Sequence, residues 1–114
     1  MQKQYRLKKR ASFAYVYRKG EKASARDLLL LSAKSNEGLK IGLSVSKKVG
    51  GAVQRSRVKR ILRVGYRAIE PELKTGFLVV VSPRQGILDV KSTDVERELR
   101  RGFSKLGMFL AEEA

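Results

Sequence analysis

Cysteine and histidine are both absent from the 114 residues, and so is tryptophan. Without cysteine there can be neither a disulfide framework nor a cysteine-based zinc site, and the chain suits a reducing compartment, with the cytoplasm as the expected location. Without cysteine and histidine, the usual general acid–base and nucleophilic arrangements lose their commonest members. A two-metal centre would have to gather carboxylates, and these are few and scattered. Asp27 and Asp89 stand alone in sequence, while Asp94, Glu96 and Glu98 open a predicted helix, where they complement its dipole. Catalysis centred on this polypeptide is therefore not expected. Long apolar runs are missing too: runs such as residues 28–31 and 77–81 fall far short of the roughly 20 of a membrane span, and no signal-peptide core follows the start.

What remains is strongly basic. Lys and Arg number 26 against 11 Asp and Glu, a formal charge of +15. Solubility needs much less, so the excess points to a polyanionic partner, a nucleic acid or an anionic membrane. With 42% hydrophobic residues the chain can still build a core, and its length predicts one domain over residues 1–114.

Lys3, Arg6, Lys8, Lys9 and Arg10 make residues 1–11 a basic arm. Ser12 is placed to cap a short helix with Phe13, Val16 and Tyr17 on one face, and Gly20 to end it. The four leucines in residues 26–33 suit a buried strand, although leucine also favours helix; Asn36 and Gly38 tip the balance to a strand and hairpin. Leu39, Ile41, Leu43 and Val45 alternate with Lys40, Gly42, Ser44 and Ser46, a strand with one dry face and one of small residues. Residues 52–69 carry Val58, Ile61, Leu62, Tyr66 and Ile69 at helical spacing, with Pro71 as the stop. Residues 77–82 read as a strand buried on both faces. Val95, Leu99, Phe103, Leu106 and Leu110 form the stripe of a last helix capped by Ser92 or Asp94. The predicted order is α-β-β-α-β-α, an α/β or α+β sandwich with helices covering a small sheet.

On the helix over 52–69, Arg55, Lys59, Arg63 and Arg67 form an i, i+4 ladder, widened by Arg57 and Arg60. Like charges at this spacing repel, and no acid in the helix offsets them. Arg suits a phosphate partner because its planar fork can bind two oxygens at once. An anionic membrane would answer to the same charge, but the apolar face of this helix is only wide enough for a core and lacks Trp and Phe, so no membrane partner is expected. Phe13 and Tyr17 fit either a hydrophobic core pair, the commoner arrangement, or a surface on which unpaired bases stack.

The run Gly42-Leu43-Ser44-Val45-Ser46-Lys47-Lys48-Val49-Gly50-Gly51-Ala52-Val53-Gln54-Arg55-Ser56-Arg57-Val58-Lys59-Arg60 closely resembles the signature of the bacterial ribonuclease P protein component, and the resemblance extends to Arg6-Leu7-Lys8-Lys9 and Phe13 upstream. It implies a non-catalytic protein subunit that helps an RNA subunit, with its own magnesium ions, remove the 5′ leader from precursor tRNA. It further implies a left-handed strand–helix–strand crossover, which the general handedness preference would not suggest. By resemblance Lys47, Lys48, Arg55, Ser56, Arg57, Lys59, Arg60 and Arg63 contact the RNA subunit, and Phe13, Tyr17 and Leu31 line a cleft for the leader. Two positions depart from the family: Ser56 stands where an Asn is usual, a hydroxyl in place of an amide, and Leu31 falls near an aromatic of some members. The partners implied are the ribonuclease P RNA and precursor tRNA, with no small-molecule substrate; magnesium ions are expected to be held mainly by the RNA subunit, and the sequence predicts none bound by the protein. The alternative is a ribosomal or other structural RNA-binding protein, which the charge and the basic helix would serve equally well.

Overall fold

The computed structural model describes residues 10–36 and 38–110. The elements run α1 (Arg10–Lys19), β1 (Glu21–Ser24), β2 (Leu28–Lys34), β3 (Leu39–Leu43), α2 (Ala52–Ile69), β4 (Phe77–Pro83) and α3 (Ser92–Lys105), with 3-10 turns at Glu70–Glu72 and Gln85–Asp89. Residues 1–9 of the expected arm lie outside the described residues, and Arg10 and Ala11 already belong to α1. Ser12 is consequently inside the helix rather than its cap. Gly20 does end it, its N–H donating to Val16 O at 2.8 Å.

The order gains one strand over the predicted one. β1 is a four-residue edge strand with only Ala23 buried, so it has no hydrophobic alternation to announce it. The sheet order is β1-β2-β4-β3, antiparallel except for the parallel pair β3 and β4. The hairpin expected after residues 26–33 does not form, because β4 lies between β2 and β3; the hairpin is β1 with β2. Burial explains the arrangement. Val79, Val80 and Val81 are completely buried, and only a central strand covers apolar side chains on both faces. After β2 the chain passes beyond β4 to reach β3, and Ser35 N–H donates to Gly76 O at 2.8 Å.

Alternation along β2 divides its leucines between two cores. Leu28 and Leu30 join Leu39, Ile41, Val79 and Val81 beneath Val58, Leu62, Tyr66 and Ile69 of α2 and Val95, Leu99 and Phe103 of α3. Two glycines let these layers close. A Cβ on Gly65 of α2 would stand 3.1 Å from Leu99 Cδ1, and one on Gly102 of α3 would stand 2.6 Å from Leu30 Cδ1. On the other face, Leu31, Ala33, Leu78 and Val80 pack under Val16 of α1, with Phe13, Tyr15 and Leu29 partly buried around them. The predicted α3 stripe holds for Val95, Leu99 and Phe103; Leu110 falls beyond the helix and is exposed. Among the described residues no helix is long and apolar enough to cross a membrane.

Candidate nucleic-acid interface

The basic surface begins where β3 ends. Val49 is buried in the larger core and pins the turn after β3, whose Ser46 accepts the N–H of Val49 through its main-chain oxygen and that of Lys48 through Oγ, both at 3.1 Å. With the turn anchored this way, Lys47 and Lys48 are left exposed. Gly51 then starts α2: its N–H donates to Gln54 Oε1 at 2.9 Å and its carbonyl accepts from Arg55 N at 2.9 Å. This satisfies one of the free donors of the helix start without placing an acid there.

The rotation of about 100° per residue sorts the side chains of α2. Val58, Leu62, Gly65, Tyr66 and Ile69 are buried. The ladder starts beside this face and drifts outward by about 40° per step, so Arg55, Lys59 and Arg63 are half-buried along the helix flank and Arg67 is exposed. Arg57, Arg60 and Ser56 are exposed as well. Ser56 and Arg60 line both of two shallow grooves along the helix, one continuing to Lys59, Arg63, Val64 and Arg67, the other to Ala52, Val53 and Arg57. Of the side chains expected to meet the RNA subunit, Ser56, Arg57, Lys59, Arg60 and Arg63 line these two adjoining grooves.

No acid occurs between residues 38 and 69. Among the described residues, ion pairs join Arg97 to Asp94 and Arg100 to Glu72 and Glu96, and none takes up a cation of α2. Hydrogen bonding to Glu72 is the chief reason the Arg100 pKa is raised, so α3 neutralises the acids near it while α2 keeps its charge. The Nε groups of Arg55 and Arg63 are shielded and have no hydrogen-bond partner among the described residues. In chemical terms α2 offers planar guanidinium donors, unpaired and closely spaced, to a partner rich in anionic oxygens.

The aromatic candidates lie on the opposite face of the sheet. Around α1, Phe13 and Tyr17 flank Val16 on one side, about 40° apart, and Tyr15 lies on the other, its hydroxyl donating to Lys34 O at 3.0 Å. Phe13 is half-buried against the smaller core, whereas Tyr17 keeps 42% of its surface exposed. Leu31, expected at the cleft, is fully buried beneath α1 and serves as core. The register runs from Lys22 through Leu31 and Val80 to Gly42, so Gly42 and, two residues away, Lys40 share the α1 face of the sheet. On that face β3 presents Lys40 and Gly42, the alternation the sequence predicts.

Two features of the surface are not legible in the sequence pattern. Tyr15 sits off the Phe13–Tyr17 flank and carries no periodic signal. Val53 and Val64 are 85% and 62% exposed on α2, and only their position outside the apolar stripe could have marked them. Among the described residues no three His, Cys, Asp or Glu side chains gather to hold a metal ion.

A family model described as Ribonuclease P matches residues 1–107. The ribonuclease P protein component of Clostridium acetobutylicum is 41% identical over 115 residues, covering 97% of this chain and 96% of that protein. That of Oceanobacillus iheyensis is 33% identical over 110 residues, covering 95% and 91%. Among solved structures, the Staphylococcus aureus RNase P protein superposes with a TM-score of 0.84 at 28% identity, covering 92% of this chain and 97% of that one. The Thermotoga maritima protein gives 0.77 at 26%, covering 84% and 92%.

Proposed function

Since the chain belongs to the ribonuclease P protein family, we propose that it is the protein subunit of a ribonuclease P holoenzyme, gripping the RNA subunit with α2 and the leader of precursor tRNA beside α1. The observation that carries the reading is the unpaired cation array: Lys47, Lys48, Arg57, Arg60 and Arg67 are exposed, and no ion pair among the described residues neutralises them. Arg55, Lys59 and Arg63 extend the array along the flank, and Ser56 lies between the arginines with one hydroxyl to donate or accept. The family match across residues 1–107 supports this over the ribosomal-type alternative.

In this reading the polypeptide contributes position and charge. Phosphates of the RNA subunit replace the missing counter-charge of α2, releasing their own counterions. Tyr17, exposed on the flank it shares with Phe13, gives an unpaired leader base a face to stack on. Phosphodiester hydrolysis belongs to the RNA subunit in this reading, and magnesium ions held there would supply the Lewis-acid chemistry. The cytoplasm, where precursor tRNA is made in bacteria, is the corresponding location.

The test is cleavage of a precursor tRNA at low magnesium by a bacterial ribonuclease P RNA, with and without this protein, mapping the new 5′ end. Stimulated cleavage at the mature end, with none by protein alone, is the expected result. Failure with a matched RNA would return the chain to the structural RNA binders, and cutting by protein alone would move the chemistry onto the polypeptide.

A further inference from the structure

The outermost ridge of α2 carries apolar as well as cationic side chains. Taking about 100° per residue, Val53, Arg57, Arg60, Val64 and Arg67 fall within one strip about 80° wide, directly opposite the buried face. A single exposed valine needs no explanation. Here two, 85% and 62% exposed, share almost the same azimuth, one on either side of Arg57 and Arg60 and about 16 Å apart along the axis. Valine is also a poorer helix former than the Gln, Lys or Arg that a merely solvated position would take.

Resting on the RNA-subunit reading above, we infer that this ridge lies across the major groove of a double-helical segment of that RNA, Arg57 and Arg60 on phosphates at the groove's mouth and Val53 and Val64 on ribose surfaces to either side. A-form RNA presents this alternation. Its major groove is deep and narrow, so the two backbones approach each other at the mouth, and the broad minor-groove surfaces beyond display the sugars. The valines would then bury apolar area that the arginine–phosphate pairs leave uncovered, and would set where along the duplex the helix rests. A second copy of this chain fits the ridge badly: three arginines would face their equals, and charged side chains are depleted from the cores of protein interfaces.

The experiment compares wild type with V53Q/V64Q in binding to a ribonuclease P RNA over a series of KCl concentrations, with hydroxyl-radical footprinting of the riboses. Both positions are exposed and Gln favours helix, so the fold is retained, which circular dichroism checks. The expected result is affinity about tenfold weaker at every salt concentration, from reduced apolar burial. The slope of log K against log salt stays unchanged, because the arginines neutralise the same phosphates as before. Ribose protection disappears at two patches flanking one major groove. Unchanged affinity, an altered slope, or a footprint confined to unpaired RNA would overturn the inference, as would a wild-type dimer that the variant dissolves. If wild type itself shows no steeply salt-dependent binding, the underlying reading fails first and takes this one with it.

Discussion

The main-chain N–H of Asp27 donates to Oε1 of Glu98 at 2.6 Å, tying the β1–β2 turn to a carboxylate of α3 that is only 7% exposed. Arg84, at the end of β4, reaches the same corner, its NH2 group donating to Ser24 Oγ at 2.9 Å. Lys105 Nζ donates to Ser24 O at 2.6 Å. This polar clasp compensates for an edge strand that buries one alanine. Replacing Glu98→Ala leaves the Asp27 donor without its partner and should cost about 2 kcal/mol. Glu98→Gln, which keeps an acceptor, should cost less. Urea unfolding of the two variants with an unchanged m-value checks the order; equal losses would mean that packing, not the hydrogen bond, matters there.

Tyr66 is a buried phenol, 1% exposed, whose hydroxyl has no hydrogen-bond partner among the described residues, with its ring 6.0 Å from that of Phe103. Burial, helped by the Glu70 carboxylate, pushes its pKa well above the ordinary value of 10.0. Tyr66→Phe removes an unsatisfied group and should be neutral to about 1 kcal/mol stabilising at pH 7. The pH dependence has a definite sign. Above the unfolded-state pKa near 10 the native chain keeps a proton that the unfolded chain releases, so wild-type stability, intact below that pH, falls as pH rises further. The Phe variant should lack this share of the alkaline loss, and unfolding curves at pH 8 and pH 11 measure it.

Legibility from sequence followed how each element announces itself. Gly51 and Pro71 bracket α2, and its bounds at residues 52–69 emerge as read, because a long amphipathic period with clear stops leaves little choice. β4 was recognisable as central from its unbroken β-branched run. β1 was not, since Glu21, Lys22 and Ser24 are polar and the strand exists only because β2 offers it an edge. Pairing was harder still: Asn36 and Gly38 signal a turn correctly, but whether the chain returns to β2 or passes over β4 is decided by burial far along the sequence. The exposed cations of α2 could be read directly because charge is a local property. Leu31 could not be assigned, for a run of leucines does not say which of its members faces which core.

Lys47 and Lys48 stand on a turn held by Val49, which is 2% exposed. Charge and support are thereby separable. Lys47→Ala with Lys48→Ala should leave the unfolding midpoint in place while lowering the salt slope of RNA-subunit binding by about two, one for each phosphate no longer neutralised. Val49→Ala should do the reverse in the first instance, costing about 1–2 kcal/mol of stability by opening a gap in the core. An unaltered slope in the lysine variant would remove the turn from the RNA interface.

Phe13 and Tyr17 share a flank of α1 but not an environment. Phe13 packs against the smaller core, whereas Tyr17 leaves 42% of its surface open to the solvent. Phe13→Ala should therefore destabilise the fold, by about 2 kcal/mol for a half-buried ring, and weaken binding of any tRNA only through loss of folded protein. Tyr17→Ala should leave stability nearly unchanged, and reduce holoenzyme affinity for precursor tRNA roughly tenfold, the value of one base stacked on an aromatic ring. Binding of mature tRNA, which has no leader, should not move. The ratio of the two affinities is the informative number, because a general disturbance of α1 would lower both together. Equal losses for precursor and mature tRNA would take the leader away from Tyr17 and leave it as the solvent-facing edge of the smaller core.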